Sequence, residues 1–251
     1  MSTLALGLSL GFVGLAVIIS RYQELGLEKD LVIGVIRTII QLTIIGYILA
    51  YVFASQQLIF ILLMLTVMIS VAALNSAKRG KGIPGALPIV LVSLGTSELI
   101  TLAMLLGFRI IPSTPQYIIP LSGMIIGNSM VAAGVTLNRL CSEFKLRQGE
   151  VELALSLGAP PKQAALPVIK AAIKAGMIPT IDSMKTVGLV QLPGMMTGQI
   201  LAGADPVLAV RYQILVMFMI SGSTAISSLI VVLMGYTRYF TPYAQLQNTQ
   251  L

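Results

Sequence analysis

Long runs of apolar residues separated by short polar links dominate this chain of 251 residues. Several runs approach or exceed the ~20 residues that a helix needs to cross the bilayer. They are continuously apolar and do not alternate with polar positions, which favours helices over a membrane barrel. The pattern predicts an all-α, polytopic integral membrane protein with about seven transmembrane helices. These spans are expected at about residues 4–20, 31–53, 58–74, 83–108, 117–137, 177–200 and 208–236.

Composition supports a membrane protein and excludes several other classes. Hydrophobic residues make up 56% of the chain and charged residues only 10%, far from the balance of a soluble domain. The net charge of +7 is spread through the loops and helix ends, which indicates topology and not a nucleic-acid surface. The single Cys141 and the absence of histidine exclude a disulfide framework and any histidine-based metal or catalytic site. The N-terminus lacks the features of a cleaved signal peptide, so residues 4–20 are interpreted as the first span.

Basic residues are concentrated in two of the predicted loops. Because positive loops face the cytoplasm, both loops are expected on the inside of the cell membrane. Counting spans outward from them predicts an external N-terminus and a cytoplasmic C-terminus in an inner-membrane protein. The residues that carry this prediction are Lys78, Arg79 and Lys81 in one loop, and Arg139, Lys145, Arg147, Lys162, Lys170 and Lys174 in the other.

The long loop at about residues 139–175 contains two amphipathic segments separated by Gly-Ala-Pro-Pro. In the second segment, apolar residues from Ala164 to Ile173 form one helical stripe, with Lys170 and Lys174 opposite. The two segments could lie on the bilayer surface or form a coupling element for a cytosolic partner. The E-x-A-x-x-x-G spacing resembles the coupling loops of ABC importer permeases and favours the second interpretation. The resemblance implies contact with an ATPase through Glu152, Ala154, Gly158, Ala159, Pro161 and Lys162.

Polar residues in spans five and six are the candidates for a transport path. Asp182 and Lys185 share a helix face and could form a structural ion pair or line the path. Pro179 and Pro193 are expected to interrupt span six and could leave it broken or re-entrant. The other path candidates are Asn128, Gln191, Met195 and Met196. Asn128 could instead link helices and the methionines could simply pack, so no metal site is predicted.

A closer resemblance covers nearly the whole chain. It rests on four segments: GVIRTIIQL (34–42), IIPLSGMIIGNSMVAAGV (118–135), ELALSLGAPPKQA (152–164) and IPTIDSMKTVGLVQLPGMMTGQILAGADPVLAVRYQI (178–214). These segments resemble the FetB-type, UPF0014-like permease family, which includes bacterial iron exporters and plant relatives linked to aluminium tolerance. The resemblance implies a single permease domain over residues 1–251 and a homodimer in membrane lipid. It also implies a separate cytosolic, FetA-like ATP-binding subunit that holds ATP and Mg²⁺, and export of metal ions.

The sequence motifs also indicate that ATP hydrolysis takes place on another chain. The sequence contains no G-x-x-x-x-G-K-[ST] phosphate loop and no nucleophile–base pair, so we expect a transport subunit with no cofactor of its own and no enzyme activity. Two alternatives remain open. One is an ABC permease for a sugar nucleotide or another small solute. The other is an ion-gradient-driven secondary transporter with Asp182, Lys185 and Glu98 as its relay.

Overall fold

The computed structural model describes residues 3–80 and 82–247, so Lys81 of the predicted basic loop lies outside the described residues. The described chain is built from helices, joined by short turns. Ten α-helices are present in this part, followed by a short 3-10 helix at Tyr236–Tyr239. They are α1 (Thr3–Tyr22), α2 (Glu28–Ser55), α3 (Leu58–Ala77), α4 (Ala86–Gly107), α5 (Pro115–Leu146), α6 (Gln148–Ser156), α7 (Pro161–Ala164), α8 (Leu166–Thr186), α9 (Gly194–Leu201) and α10 (Pro206–Gly235).

Five stretches of the described chain are long and apolar enough to cross a membrane. They are α2, α3, α4, α5 and the segment Pro206–Tyr239, while the apolar stretch Gly7–Tyr22 of α1 is shorter. The prediction of an all-α, polytopic membrane protein is confirmed. The predicted number of seven spans is not established by helix length and composition alone.

The contacts divide the chain into two compact units, residues 1–57 and 58–251. In the first unit, α1 and α2 form a helical hairpin whose turn is held by Ser20. The Ser20 hydroxyl donates to the Glu28 carboxylate at 2.9 Å and accepts from the Leu27 backbone N–H at 3.1 Å. Most other side chains of this unit are exposed, as expected of helices that meet lipid or another chain.

In the second unit, α5 is the central helix and packs against α3, α4, α8 and α10. Buried serine and threonine side chains connect these helices. The Ser93 and Ser227 hydroxyls are 2.9 Å apart, and the Ser97 hydroxyl donates to the Ser223 carbonyl at 2.8 Å. Small residues of this kind let membrane helices approach closely, and their hydroxyls add interhelical hydrogen bonds.

The predicted organisation of span six is wrong in one respect. A second coupling helix and a separate span beginning near Met177 were expected, but both belong to the single helix α8, and Pro179 lies inside it. The apolar stripe of the expected coupling helix is buried where α8 packs against α5 and α10. This tertiary packing keeps the helix continuous despite the backbone hydrogen bond that a proline cannot make.

The chain does break at the second predicted proline. Helix α8 ends at Thr186, and α9 begins only at Gly194, directly after Pro193. The intervening turn includes Gly188 at a φ of +83° and a short bridge between Val187 and Gln191. Of the two prolines that could interrupt span six, Pro193 therefore lies at a break between helices and Pro179 does not.

The end of α5 and the C-terminal residues form a small aromatic cluster. Helix α5 extends nine residues beyond its predicted end at Leu137, to Leu146. Phe144 near this end is stacked on Tyr239, with ring centroids 4.0 Å apart, and meets the Phe240 ring edge-on. The chain then reverses, and the Gln247 N–H donates to the Tyr239 carbonyl at 2.8 Å. The C-terminal segment is thus fixed beside the end of α5.

Candidate functional site

The turn after α6 has the hydrogen-bond pattern of a Schellman motif. The Ala159 N–H donates to the Ala154 carbonyl at 3.0 Å, and the Gly158 N–H donates to the Leu155 carbonyl at 2.9 Å. Gly158 has a φ of +86°, the left-handed conformation that this motif requires. Pro160 and Pro161 follow, and Pro161 opens α7. The tight corner inferred from the E-x-A-x-x-x-G spacing is confirmed as a backbone geometry.

The corner presents apolar side chains that remain exposed in the part of the chain that the structure describes. Leu153 is 63% exposed and Leu157 is 81% exposed, and both lie on the outer side of the α6 turn. Glu152 and Lys162 are also exposed, whereas Ala154, Ala159 and Pro161 are half-buried. Exposed apolar side chains rimmed by polar ones are typical of a surface that another protein covers.

A groove of about 670 Å³ lies between this corner and the C-terminal segment. One wall is formed by Glu152, Ser156 and the Gly158–Pro161 turn, and the other by Tyr243, Ala244 and Gln245. The second wall could not be predicted from the sequence, because its residues have no helical pattern and are more than 80 positions away. We call the groove and the exposed side chains of the corner the docking surface.

A charged cluster holds the base of the corner. Glu143 is buried on the last turn of α5, and its carboxylate contacts the guanidinium groups of Arg139 and Arg147, the latter at 2.7 Å. Arg147 also reaches Glu150 of α6 at 3.2 Å. These contacts raise the pKa of Arg147, chiefly through its hydrogen bond to Glu143. Arg139 and Arg147 contributed only to the predicted topology, yet in the structure Arg147 links Glu143 of α5 to Glu150 of α6.

The path candidates do not form one compact site. Asn128 lines a cleft of about 120 Å³ with Gly176, Pro179, Thr180 and Ser183, between α5, α8 and α10. Its amide donates to the Met124 carbonyl at 2.8 Å, a bond within its own helix. Of the six path candidates predicted from the sequence, Asn128 is the one that lines this cleft.

Asp182 and Lys185 lie on either side of Ser183, a cleft residue, but do not line the cleft themselves. Their charged atoms are 4.0 Å apart, and the side chains are 64% and 71% exposed. Gln191 is exposed in the turn between α8 and α9, and Met196 is half-buried. Met195 packs against the apolar cluster that includes Leu105 and Leu121. The expected ion pair forms, but at the outer limit of contact.

Comparison with known proteins assigns the chain to a family. Residues 3–240 match the model of the Uncharacterised protein family (UPF0014). The chain belongs to this family. The match extends from α1 to the start of the C-terminal reversal, and therefore includes the corner, the cleft and the break before α9.

The relatives cover almost the full chain. The UPF0014 membrane protein YjkA of Bacillus subtilis is 47% identical over all of both chains. The Probable iron export permease protein FetB of Escherichia coli is 43% identical, over 98% of this chain and 95% of its own. Protein ALUMINUM SENSITIVE 3 of Arabidopsis thaliana is 38% identical, over 93% of this chain and 86% of its own. No solved structure matches the chain.

Proposed function

We propose that this chain is the membrane-spanning permease subunit of an ATP-driven ABC transporter that exports metal ions, with iron as the first candidate. The observation that carries the proposal is the Gly158 corner. It is a rigid, exposed turn between two helices that lead into the helical bundle, which is the geometry needed to transmit a push from an ATP-binding subunit. The direction and the cargo follow from the similarity to the relative named as an iron export permease.

The positions of the basic residues support a cytoplasmic corner. Arg79 packs against Gly134 of α5, and Gly82 lies beside Cys141, so the basic loop after α3 is near the same end of α5 as the corner. The C-terminal residues line the groove at this corner. One end of the second unit therefore carries described residues of both basic loops and the segment Tyr243–Gln245, which supports a common cytoplasmic side under the positive-inside rule.

The lengths of α8 and α10 are sufficient for each helix to cross the bilayer from one side of the membrane to the other. Helix α8 starts next to the corner and its 21 residues span roughly 30 Å at 1.5 Å per residue. Helix α10 returns to the aromatic cluster beside the corner. We infer that α8 crosses the bilayer although it carries several charged residues, and that α9 lies near the outer surface.

We further infer that the permease is a homodimer with two ATP-binding subunits. Asp182 and Lys185 are exposed on α8 in the single chain, and charged side chains that face lipid are costly. A second copy facing α8 would enclose them in a shared path with Asn128, Gln191 and the nearby methionines. In this arrangement the docking surface of each copy receives one ATP-binding subunit.

Reconstitution of the permease with a candidate ATP-binding subunit would test the proposal. ATP hydrolysis in liposomes is measured with ferrous iron under reducing conditions, with other divalent ions and with a sugar nucleotide. We expect ferrous iron to stimulate hydrolysis and to accumulate on the side opposite the ATP-binding subunit. The control is the same complex with the phosphate-loop lysine of the ATP-binding subunit replaced, which should abolish both signals.

The outcomes separate the alternatives. Stimulation by the sugar nucleotide and not by iron would keep the ABC permease and replace its cargo. Transport driven by an imposed ion gradient in the permease alone would instead indicate a secondary transporter. A permease that neither binds the ATP-binding subunit nor changes its hydrolysis would contradict the proposal.

A further inference from the structure

Glu98 is a buried acidic side chain in the middle of α4. It is only 3% exposed, and neither carboxylate oxygen makes a hydrogen bond within the usual distance and angle limits. The Ser122 hydroxyl of α5 is close enough to interact with the Glu98 carboxylate, and it is itself buried without a hydrogen-bond partner. The neighbouring hydroxyls of α4 are already used, because Ser97 donates to the Ser223 carbonyl and Thr101 donates to the Ser97 carbonyl.

The helices packed against α4 bring no counter-charge to Glu98. These helices are α3, α5 and α10. Helix α3 contains no ionisable residue, and α4 has none besides Glu98. The ionisable residues of α5 and α10 lie near the ends of these helices. They are Tyr117, Arg139, Cys141, Glu143 and Lys145 on α5, Arg211 and Tyr212 on α10, and Tyr236, Arg238 and Tyr239 just after it.

The rise of about 1.5 Å per residue gives the distance along the helix axis from most of these groups to the level of Glu98. Arg211 is 12 residues from Ser223, the α10 residue whose carbonyl bonds to Ser97, or about 18 Å along the axis. Arg139 is 17 residues from Ser122, or about 25 Å. Arg109, beyond the end of α4, is 11 residues from Glu98, or about 16 Å. Tyr117 is nearer to Ser122, but a phenol supplies no positive charge.

An isolated carboxylate charge in such surroundings is strongly disfavoured, so the group is neutralised by a bound cation. A divalent metal requires several oxygen ligands. Here one carboxylate faces one hydroxyl, and the described residues hold no cluster of three or more histidine, cysteine or acidic side chains. A proton needs only one carboxyl oxygen, and Ser122 can then accept a hydrogen bond from the carboxyl group.

We propose that Glu98 is a proton-binding site whose proton is exchanged during transport. The carboxyl group keeps its proton in the packed state described here. When α4 and α5 separate, the proton passes to water and the carboxylate offers a negative charge to a passing cation. When the helices pack again, the carboxylate takes a proton back from water and the cation is released. The proton-binding site stands independently, whereas its exchange during transport rests on the proposed function.

Infrared spectroscopy of the permease in liposomes tests the site directly. A protonated carboxyl group gives a C=O stretching band that is distinct from carboxylate bands and shifts in D₂O. We compare the parent with Glu98→Gln, which keeps the shape and removes the proton site, and with Glu24→Gln, the same change in an exposed loop. At neutral pH we expect the band in the parent and in Glu24→Gln, and its loss in Glu98→Gln. Ser122→Ala should shift the band by removing the facing hydroxyl group.

The rate of the D₂O shift then tests the exchange. We expect slow exchange in the permease alone, and faster exchange when the ATP-binding subunit hydrolyses ATP. A spectrum without a protonated band assignable to Glu98 overturns the proposal. So does an exchange rate that is unchanged while ATP is being hydrolysed, since it shows a purely structural carboxyl group. Failure of the permease to affect ATP hydrolysis contradicts the proposed function instead, and the band in the permease alone still decides whether Glu98 holds a proton.

Discussion

Gly158 is the residue at which a single backbone angle determines the shape of the proposed coupling element. Its φ of +86° lies in the region that residues with a Cβ atom rarely adopt. Apart from its two chain neighbours, no described residue has an atom within 4 Å of the position where a Cβ would be, so the restriction comes from the backbone and not from crowding. A substitution here therefore tests the corner with little direct effect on packing.

We expect Gly158→Val to uncouple ATP hydrolysis from transport while membrane insertion continues. The left-handed conformation costs roughly 1–2 kcal/mol for a residue with a Cβ atom, and more for a β-branched one, so the corner would change its shape. Transport per ATP hydrolysed is the measurement. Gly149→Val is the control, because Gly149 lies in the first turn of α6 with open space around it and no positive φ. Full activity of Gly158→Val would show that no tight corner is needed.

Variants of Asp182 and Lys185 can distinguish a stabilising ion pair from a role in transport. In water an exposed pair contributes only ~0–1 kcal/mol, whereas inside lipid a single unpaired charge would be costly. We expect the double variant Asp182→Ala/Lys185→Ala to reach the parent's expression level and to lose transport. Each single variant should express less well, because it leaves one charge without its partner. Normal transport by the normally expressed double variant would remove both residues from the path.

At the level of helices, α8 depends on close packing at Gly176. A Cβ atom at this position would overlap the Thr136 hydroxyl, and would lie 2.9 Å from the Ser228 hydroxyl and 3.1 Å from the Ala132 carbonyl. The Thr136 hydroxyl donates to Ser228 at 3.2 Å, so the same atoms connect α5 and α10. Gly176 therefore brings three helices together at one point.

We expect Gly176→Ala to lower the free energy of unfolding by about 1–3 kcal/mol, the usual cost of overpacking. The measurement is the thermal unfolding midpoint in detergent. Gly127→Ala on α5 is the matched control, because its added Cβ meets no described residue within 4 Å beyond the nearby backbone of α5 itself and its two chain neighbours. Adding Thr136→Ala to Gly176→Ala removes the overlapping oxygen and should recover part of the loss. An unchanged midpoint for Gly176→Ala would mean that α8 can move away from α5 at no cost.

At the level of the whole molecule, the side of the membrane that carries the corner decides the topology. Lys162 is exposed on α7, directly after the corner. In a chain with Cys141→Ser, we expect Lys162→Cys to react with a membrane-impermeant thiol reagent in inside-out vesicles and not in intact cells. The control is the Cys141→Ser chain without the new cysteine. Labelling of intact cells would reverse the orientation and exclude a cytosolic ATP-binding partner at this corner.

The sequence by itself determined the features that depend on neighbours within a few turns. Continuous apolar runs predicted the membrane helices, because each helix satisfies its own backbone hydrogen bonds in lipid. Gly158 and its spacing predicted the corner. Pro193 predicted the break before α9. Each of these follows from local chemistry that the order of residues displays.

Only the tertiary structure decided the features that depend on distant residues. Packing against α5 and α10 kept α8 continuous through Pro179, where local propensity favoured an interruption. The C-terminal wall of the docking surface exists because Tyr239 stacks on Phe144. The isolation of Glu98 depends on how α3, α5 and α10 surround α4, and no local pattern records that arrangement. Burial and charge environment are set by which helix faces meet, and that is a property of the folded chain.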